Sequence, residues 1–281
     1  MSRLTNPEFC LPIESFVNQV ICGDSTIELK KLPDNCIDLT VTSPPYDDLR
    51  DYDNYTFDFE TIAKELLRVT KDGGVLVWVV GDATINGDET ATSFKQTLFF
   101  KQIGFKLHDT MIYQKEGFTA KPDSTRYWPA FEYMFVFSKG KPTTINFIKD
   151  RKNKWGNHRK SGYVREQNNE VTRRKEANIN VFGKRQNIWS YKTGFNLSTK
   201  DEMAFEHPAI FPEPLAKDHI LSWSNEGDLI LDPLAGSGTT LKMARLLRRN
   251  YVGIEISPKY CEIINKRLAK YDNESIEVFC N

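Results

Sequence analysis

The feature that most constrains the fold is an uninterrupted apolar run, Val75 to Val80 (VLVWVV). A run this short and this apolar is typical of a strand that is buried on both faces in a parallel sheet. Gly73-Gly74 precedes the run and is expected to break the chain before the strand begins. Such a strand needs helices on both sides of it, so the run predicts an α/β domain.

Strand and helix patterns alternate on both sides of this run. We predict further strands at 17–22, 37–41, 106–113, 132–138, 229–232 and 251–256, and helices at 25–32, 57–69, 92–103, 239–249 and 258–270. Ser25 is the predicted N-cap of the first helix. The alternation predicts a doubly wound sheet.

The charges of the chain are unevenly spread. The 281 residues carry no net charge, yet residues 139–200 hold 16 Lys and Arg against 4 Asp and Glu. A basic segment without regular periodicity predicts an insertion that faces a polyanion, and a solvated loop is the alternative.

Several classes of protein are excluded by composition. The apolar runs are far shorter than the ~20 residues that span a bilayer, and the N-terminus lacks the apolar core of a signal peptide. The five cysteines form no CxxC pair, so we expect neither a disulfide framework nor a metal site. A reducing, cytoplasmic location is therefore predicted.

A glycine-rich turn joins the strand at 229–232 to the next helix. It contains Asp232, Pro233, Ala235, Gly236, Ser237, Gly238 and Thr239. Its glycines permit close approach of the backbone to a ligand. Glu255 ends the following strand, where a carboxylate can accept hydrogen bonds from a ribose. Leu241 replaces the third glycine of a dinucleotide fold and no Lys follows Gly238, so a cofactor without phosphates is favoured.

The tetrapeptide Ser43-Pro44-Pro45-Tyr46 follows the strand at 37–41. The amino nitrogen of a nucleic acid base is a poor nucleophile because its lone pair is delocalised into the ring. A hydroxyl and a rigidly held carbonyl that accept its hydrogens would draw this nitrogen toward tetrahedral geometry. The tyrosine offers a stacking face for a base taken out of the duplex. The alternative is a Pro-Pro turn with a surface aromatic residue.

Taken together, TSPPY (42–46), HPAIFPEPL (207–215) and DPLAGSGTT (232–240) resemble the amino-group DNA methyltransferases that use S-adenosylmethionine. The order of the motifs resembles the beta class of that family, whose fold is circularly permuted. The resemblance implies a Rossmann-like sheet of seven strands. In it, the strands near 229 and 251 lie between those near 17 and 37, and 106–113 and 132–138 form an antiparallel hairpin.

The resemblance also implies roles for individual residues. The glycine-rich turn binds the methionine part of the cofactor, Glu255 holds the ribose and Asp24 lies near the adenine amino group. The segment with His207, Phe211 and Pro212 packs over the cofactor. At the catalytic position, Ser43 and the Pro44 carbonyl bind the target amino group, Pro45 makes the loop rigid and Tyr46 stacks.

Three divisions of the chain follow from the resemblance: a catalytic half (1–138), a target-recognition insertion (139–202) and a cofactor-binding half (203–281). Lys and Arg neutralise phosphates, and Arg also recognises guanine. The candidate DNA-binding residues are Lys149, Arg151, Lys152, Lys154, Arg159, Lys160, Arg173, Arg174 and Arg185, interleaved with Trp155, Tyr163 and Trp189.

The resemblance predicts site-specific methylation of cytosine N4 in duplex DNA, because a Ser at the first position of the tetrapeptide usually goes with cytosine in this family. No cysteine follows a proline, so the nucleophile of carbon-5 cytosine methyltransferases is absent. The alternatives are methylation of adenine N6, a DNA-binding protein without catalysis, and an RNA or protein methyltransferase. A bacterial or phage origin and a restriction endonuclease that acts on the same site are also expected.

Overall fold

The computed structural model describes residues 11–45, 57–117, 125–159, 162–173, 177–194, 196–207, 210 and 212–271. Eight strands form its main sheet: Gln19–Cys22 (β1), Ile37–Thr42 (β2), Thr70–Val80 (β3), Lys106–Glu116 (β4), Phe131–Ser138 (β5), Ile188–Lys192 (β6), Leu229–Asp232 (β7) and Asn250–Glu255 (β8). Their order is β1-β8-β7-β2-β3-β5-β4-β6. Strands β1, β8, β7, β2 and β3 are parallel to one another. Strand β5 is antiparallel to both β3 and β4, and β6 is parallel to β4.

Six α-helices accompany this sheet in the described part of the chain. They are Ser25–Glu28 (α1), Phe59–Val69 (α2), Thr92–Ile103 (α3), Glu213–Trp223 (α4), Thr239–Leu246 (α5) and Pro258–Ala269 (α6). Short 3₁₀ turns lie at Ile13–Ser15, Leu29–Lys31 and Glu202–Glu206, and Thr84–Ile85 pairs with Asp88–Glu89 in a small hairpin. None of the helices in these ranges has both the length and the apolar composition that crossing a bilayer requires.

The strand order confirms the predicted α/β sheet. Strands β7 and β8 lie between β1 and β2, and β4 and β5 form the antiparallel hairpin. Strand β6 is an eighth strand that the sequence did not indicate. Strand β3 also begins earlier than predicted, at Thr70, because Gly73 adopts a φ of +82° and the β2–β3 register shifts between Ile37 and Leu39. The glycines therefore form an irregularity within the strand and do not end it.

Helices cover both faces of the sheet. Val252 and Ile254 of β8 face a core that also contains Leu66 of α2. Gly253, between them, points to the opposite face, where a Cβ would lie 2.2 Å from a methyl group of Leu241 in α5. A strand glycine here allows a helix to approach closely. The arrangement explains why the central strands are apolar without alternation.

The chain forms two compact units. Residues up to Asn146 and from Asn187 onward form the large unit, and Phe147–Gln186 form the small unit. The small unit contains two antiparallel pairs, Arg151–Lys152 with Phe182–Gly183 and Tyr163–Arg165 with Val171–Arg173. The ends of the predicted insertion, 139–146 and 187–202, thus belong with the sheet, while the functional division at 139–202 stays a prediction.

Candidate functional site

The glycine-rich turn lies between the end of β7 and the start of α5. Gly236 and Gly238 have φ values of +53° and +78°, which favour glycine. A Cβ at Gly238 would lie 2.8 Å from the side chain of Ile264, and one at Gly236 would lie 3.1 Å from the imidazole of His207. Gly238 therefore lacks room for a side chain, a side chain at Gly236 would crowd the imidazole, and His207 lies directly against the turn.

Asp232 is a buried carboxylate that joins β7 to β2. Its Oδ1 accepts hydrogen bonds from Oγ1 of Thr42 at 2.8 Å and from the amide of Leu234 at 3.2 Å. Burial raises the pKa of Asp232 to about 6, although the hydrogen bond from Thr42 acts in the opposite direction. Thr42, which precedes Ser43, is thus hydrogen-bonded to Asp232, the first residue of the glycine-rich motif.

Glu255 lies at the end of β8 and fixes the turn from the other side. Its Oε2 accepts the amide of Gly236 at 2.8 Å, and its Oε1 accepts the amide of Ser257 at 3.0 Å. Burial raises the pKa of Glu255, and these backbone donors offset part of that effect. The carboxylate is therefore held rigidly beside the turn.

Asp24 and Glu255 lie at the same corner of the sheet. Cys22 of β1 is in register with Glu255, and the amide of Gly23 donates to the Glu255 carbonyl at 2.9 Å. Asp24 is the N-cap of α1, since its Oδ1 accepts the amide and the hydroxyl of Thr26, each at 2.8 Å. The prediction of Ser25 as N-cap was wrong: Ser25 is the first helical residue and its hydroxyl donates to the carbonyl of Pro233.

The predicted catalytic residues follow β2 directly. Pro44 is buried, and Ser43 and Pro45 are half-buried. Oγ1 of Thr240 in α5 donates to the carbonyl of Val41 at 3.0 Å. Together with the contact between Thr42 and Asp232, this bond holds the strand end that carries Ser43 beside the glycine-rich turn.

Several residues of the predicted sites lie outside the part of the chain that the structure describes. Tyr46, Phe211, Lys160 and Arg174 lie outside the described residues, as do Pro208 and Ala209. The others of the cofactor set are described: Pro233, Ala235, Ser237 and Thr239 belong to the turn itself, and Pro212 is the buried N-cap of α4.

The candidate DNA-binding residues lie in the small unit and are mostly exposed. Lys149, Arg151, Lys152, Lys154, Arg159 and Arg173 are exposed, as are Trp155 and Tyr163. Arg185 is half-buried and forms an ion pair of 2.5 Å with Asp150. Trp189 does not belong to this basic surface, because alternation along β6 buries it, together with Tyr191, in the large unit.

Sequence reasoning missed a cluster of four charged side chains, Asp201, Glu213, Lys242 and Arg267, called the ion cluster below. Three of them are buried and Glu213 is half-buried. Nζ of Lys242 lies 2.7 Å from oxygens of both Asp201 and Glu213. Arg267 contacts the same two carboxylates, at 3.2 and 3.0 Å. The sequence indication was that Lys242 of α5 and Arg267 of α6 stand at positions whose helical spacing matches that of the apolar residues. Among the described residues, no group of three or more His, Cys, Asp or Glu side chains could hold a metal ion.

Comparison with known proteins gives a family match over most of the chain. A family model for N6 and N4 methyltransferases, described as DNA methylase, matches residues 37–266. The orphan methyltransferase M.BamHII of Bacillus amyloliquefaciens is 58% identical over 245 residues, which cover 86% of this chain and 92% of that protein.

Solved structures share the fold. The PvuII DNA methyltransferase (cytosine-N4-specific) aligns with a TM-score of 0.66 and 19% identity, covering 92% of this chain and 88% of the other. The M1.HpyAVI–SAM complex aligns with a TM-score of 0.60 and 20% identity, covering 89% of this chain and 98% of the other.

Proposed function

The chain belongs to the N6/N4 family of DNA methylases and is a site-specific DNA methyltransferase. From this membership we propose that it transfers a methyl group from S-adenosylmethionine to the N4 amino group of cytosine in duplex DNA. The observation that carries the proposal is the connection between Ser43 and the glycine-rich turn. Thr42 bonds to Asp232, and Thr240 bonds to Val41.

These two hydrogen bonds matter because methyl transfer is a reaction between two bound groups. The donor and the acceptor must be held in line and near contact, and positioning of this kind supplies much of the rate enhancement. A base bound at Ser43 and a cofactor bound on the turn would meet at the carboxyl ends of β2 and β7. Ligands of parallel α/β sheets bind at this edge.

The turn suits S-adenosylmethionine better than a nucleotide with a pyrophosphate. Asp232 and Glu255 place two buried carboxylates beside the turn. Negative charge there disfavours a phosphate and favours the positive sulfonium. When bound, the cofactor supplies an electrophilic methyl group. In our proposal Glu255 accepts hydrogen bonds from the ribose hydroxyls, and Asp24, at the same corner, faces the adenine amino group.

The choice of cytosine rests on Ser43. A neutral hydroxyl can accept a hydrogen bond from the amino group of the base without placing a further charge in a closed site. The carbonyl of Pro44, held by two consecutive prolines, would accept the second amino hydrogen. The structurally similar PvuII enzyme is cytosine-N4-specific, which supports this choice. Adenine N6 is the alternative within the family.

We assign target recognition to 139–202 and DNA docking to its exposed cations. Residues 147–186 hold 12 Lys and Arg against 4 Asp and Glu, a balance suited to the phosphate backbone. The order of the motifs supports the circularly permuted beta class. A restriction endonuclease of the same specificity stays a prediction, and the similar B. amyloliquefaciens protein is named an orphan methyltransferase.

The test is the identity of the methylated base. The chain is expressed in a host without DNA methylases, and nucleosides from its DNA are separated by mass spectrometry. We expect N4-methylcytosine, absent from cells that carry the empty vector. N6-methyladenine as the only product would contradict the base assignment. Unmethylated DNA from cells with folded protein would contradict the activity itself.

A further inference from the structure

We propose that Lys242 and Arg267 are positioning residues for the cofactor. Together with their two carboxylate partners, they hold the segment that ends in His207 against the glycine-rich turn. The inference rests on the proposed placement of S-adenosylmethionine on that turn, and it assigns the ion cluster a role in cofactor affinity.

Each cation of the ion cluster bridges both carboxylates. Lys242 and Arg267 are 4% and 1% exposed, so both cations are shielded from solvent. Tyr271 donates its hydroxyl to Oδ1 of Asp201 at 3.0 Å. Although burial alone would raise the pKa of Asp201, Lys242 and Arg267 hold it below its usual value. The Asp201 carboxylate is therefore ionised at neutral pH.

A buried cluster of this kind is a poor way to gain stability. Removing four charges from water is costly, and apolar side chains of similar volume often stabilise a protein as well or better. What such a cluster can supply is one defined geometry, because each charge has only a few satisfactory partners. The question is which parts of the molecule it holds in place.

One side of the ion cluster belongs to the glycine-rich turn. Nη1 of Arg267 donates a hydrogen bond to the carbonyl of Ser237, the residue between Gly236 and Gly238. The amide of Lys242 donates to the carbonyl of Gly238 at 3.0 Å. The guanidinium of Arg267 is thus bound to the turn itself, and Lys242 is held close to it by its position in the first turn of α5.

The other side belongs to the segment that precedes α4. Asp201 comes directly before the 3₁₀ turn Glu202–Glu206, whose last turn is closed by a bond of 3.1 Å from the amide of His207 to Ala204. Glu213 is the first residue of α4. The two carboxylates therefore bracket the segment that places His207 against Gly236.

A cofactor bound on the turn would lie where His207 and the turn meet. If the ion cluster sets their spacing, its loss weakens cofactor binding and leaves the chemistry of the saturated enzyme nearly intact. This pattern separates positioning from general destabilisation, which lowers the amount of folded enzyme and not its affinity.

The experiment compares Lys242→Met and Arg267→Met with two conservative variants, Lys242→Arg and Arg267→Lys, in the full chain. Arg249→Met is the matched control. Arg249 is also buried, at 8% exposure, but it donates to the carbonyls of Ser224 and Leu247 at the opposite end of β8. Calorimetric titration with S-adenosylmethionine gives the affinity at a temperature where thermal melting shows each variant folded, and steady-state kinetics give KM and kcat.

We expect the Met variants to bind S-adenosylmethionine about tenfold more weakly or worse, with KM raised and kcat changed far less. The conservative variants should recover most of the affinity, and Arg249→Met should keep it despite a lower melting temperature. If the Met variants do not fold, Glu213→Gln, which keeps the shape and removes one charge, replaces them with the same expectation.

Two results would overturn the inference, and they differ from failure of the proposed function. Wild-type affinity in the charge-removing variants would show that the ion cluster does not position the cofactor. An affinity loss shared equally by Arg249→Met would show a general effect of destabilisation. A wild-type chain that binds no S-adenosylmethionine would instead overturn the proposed cofactor site together with this inference.

Discussion

The large and small units differ in how they hold the polar side chains of their candidate sites. The large unit buries Asp232, Glu255 and three of the four side chains of the ion cluster, and each of these groups has hydrogen-bond partners at fixed distances. The small unit exposes most of its described candidate DNA-binding cations, and its Trp155 and Tyr163 are 59% and 69% exposed. Buried polar groups need defined partners, so they specify geometry. Exposed cations remain available to a polyanion.

One pair of histidines shows the same contrast with matched neighbours. His219 of the large unit is fully buried and its ring lies 4.7 Å from that of Trp189. His158 of the small unit is exposed and its ring lies 5.8 Å from that of Trp155. Each imidazole thus lies next to a tryptophan ring, but water reaches only His158. Changes in the large unit should therefore alter cofactor chemistry and pH response, and changes in the small unit should alter affinity for DNA.

The largest expected effect is that of Ser43→Ala. The substitution removes an acceptor for the target amino group, and loss of one preorganised polar contact typically lowers the rate by ~10²–10³. Affinity for S-adenosylmethionine should persist because the glycine-rich turn is unchanged. Single-turnover methylation of duplex DNA measures the effect, with Ser190→Ala, an exposed serine of β6, as the control. An unimpaired Ser43→Ala enzyme would remove Ser43 from the catalytic site.

The comparison also explains which features the sequence could predict. The individual strands, the glycine-rich turn and Glu255 at a strand end are encoded locally, in apolar runs and in a motif whose glycines have a backbone reason. The order of the strands was instead implied by the resemblance to the methyltransferase family. Gly236 and Gly238 do adopt left-handed φ values. Local pattern was less decisive at α1, where Asp24 and Ser25 are both suitable N-caps and only the backbone geometry distinguishes them.

The missed features depend on residues far apart in the chain. Lys242 is buried only because Asp201 and Glu213 come to it from 41 and 29 residues away. Burial of Trp189 likewise requires β6 to pair with β4, which no local pattern indicates. The predicted insertion at 139–202 followed the basic segment 139–200 and the family resemblance, whereas the compact unit at 147–186 reflects packing.

A smaller effect is expected from removing charge in the small unit. If both residues contact phosphates, the double variant Lys149→Gln and Lys152→Gln should make the slope of log K against log salt less steep by about 1.8. It should also weaken DNA binding roughly tenfold or more at moderate salt. Fluorescence anisotropy over a salt series measures both quantities. The control removes two exposed lysines of the large unit, Lys64→Gln with Lys266→Gln. Equal slopes for the two double variants would mean that the small unit does not dock DNA.

The smallest effect concerns pH and the two histidines. Burial lowers the pKa of His219 to about 3. Between that value and the unfolded value of about 6.5, the unfolded chain binds a proton that the folded chain does not, so stability falls as the pH drops below 6.5. One pH unit below 6.5, this group lowers the free energy of unfolding by about 1 kcal/mol.

His219→Leu should remove this part of the acid destabilisation. Nδ1 of His219 has no hydrogen-bond partner among the described residues, so an apolar side chain of similar size leaves no new unpaired group there. Urea unfolding at pH 7.5 and 5.5 should show a pH difference that is about 1 kcal/mol smaller in His219→Leu than in the wild type. The raised pKa of Asp232 makes stability rise as the pH falls, opposite to the effect of His219. All the proteins compared contain Asp232, so its contribution cancels from the difference between them. His158→Leu, which replaces an exposed histidine in the same way, is the matched control. An equal pH dependence in both variants would show that burial does not distinguish the two histidines.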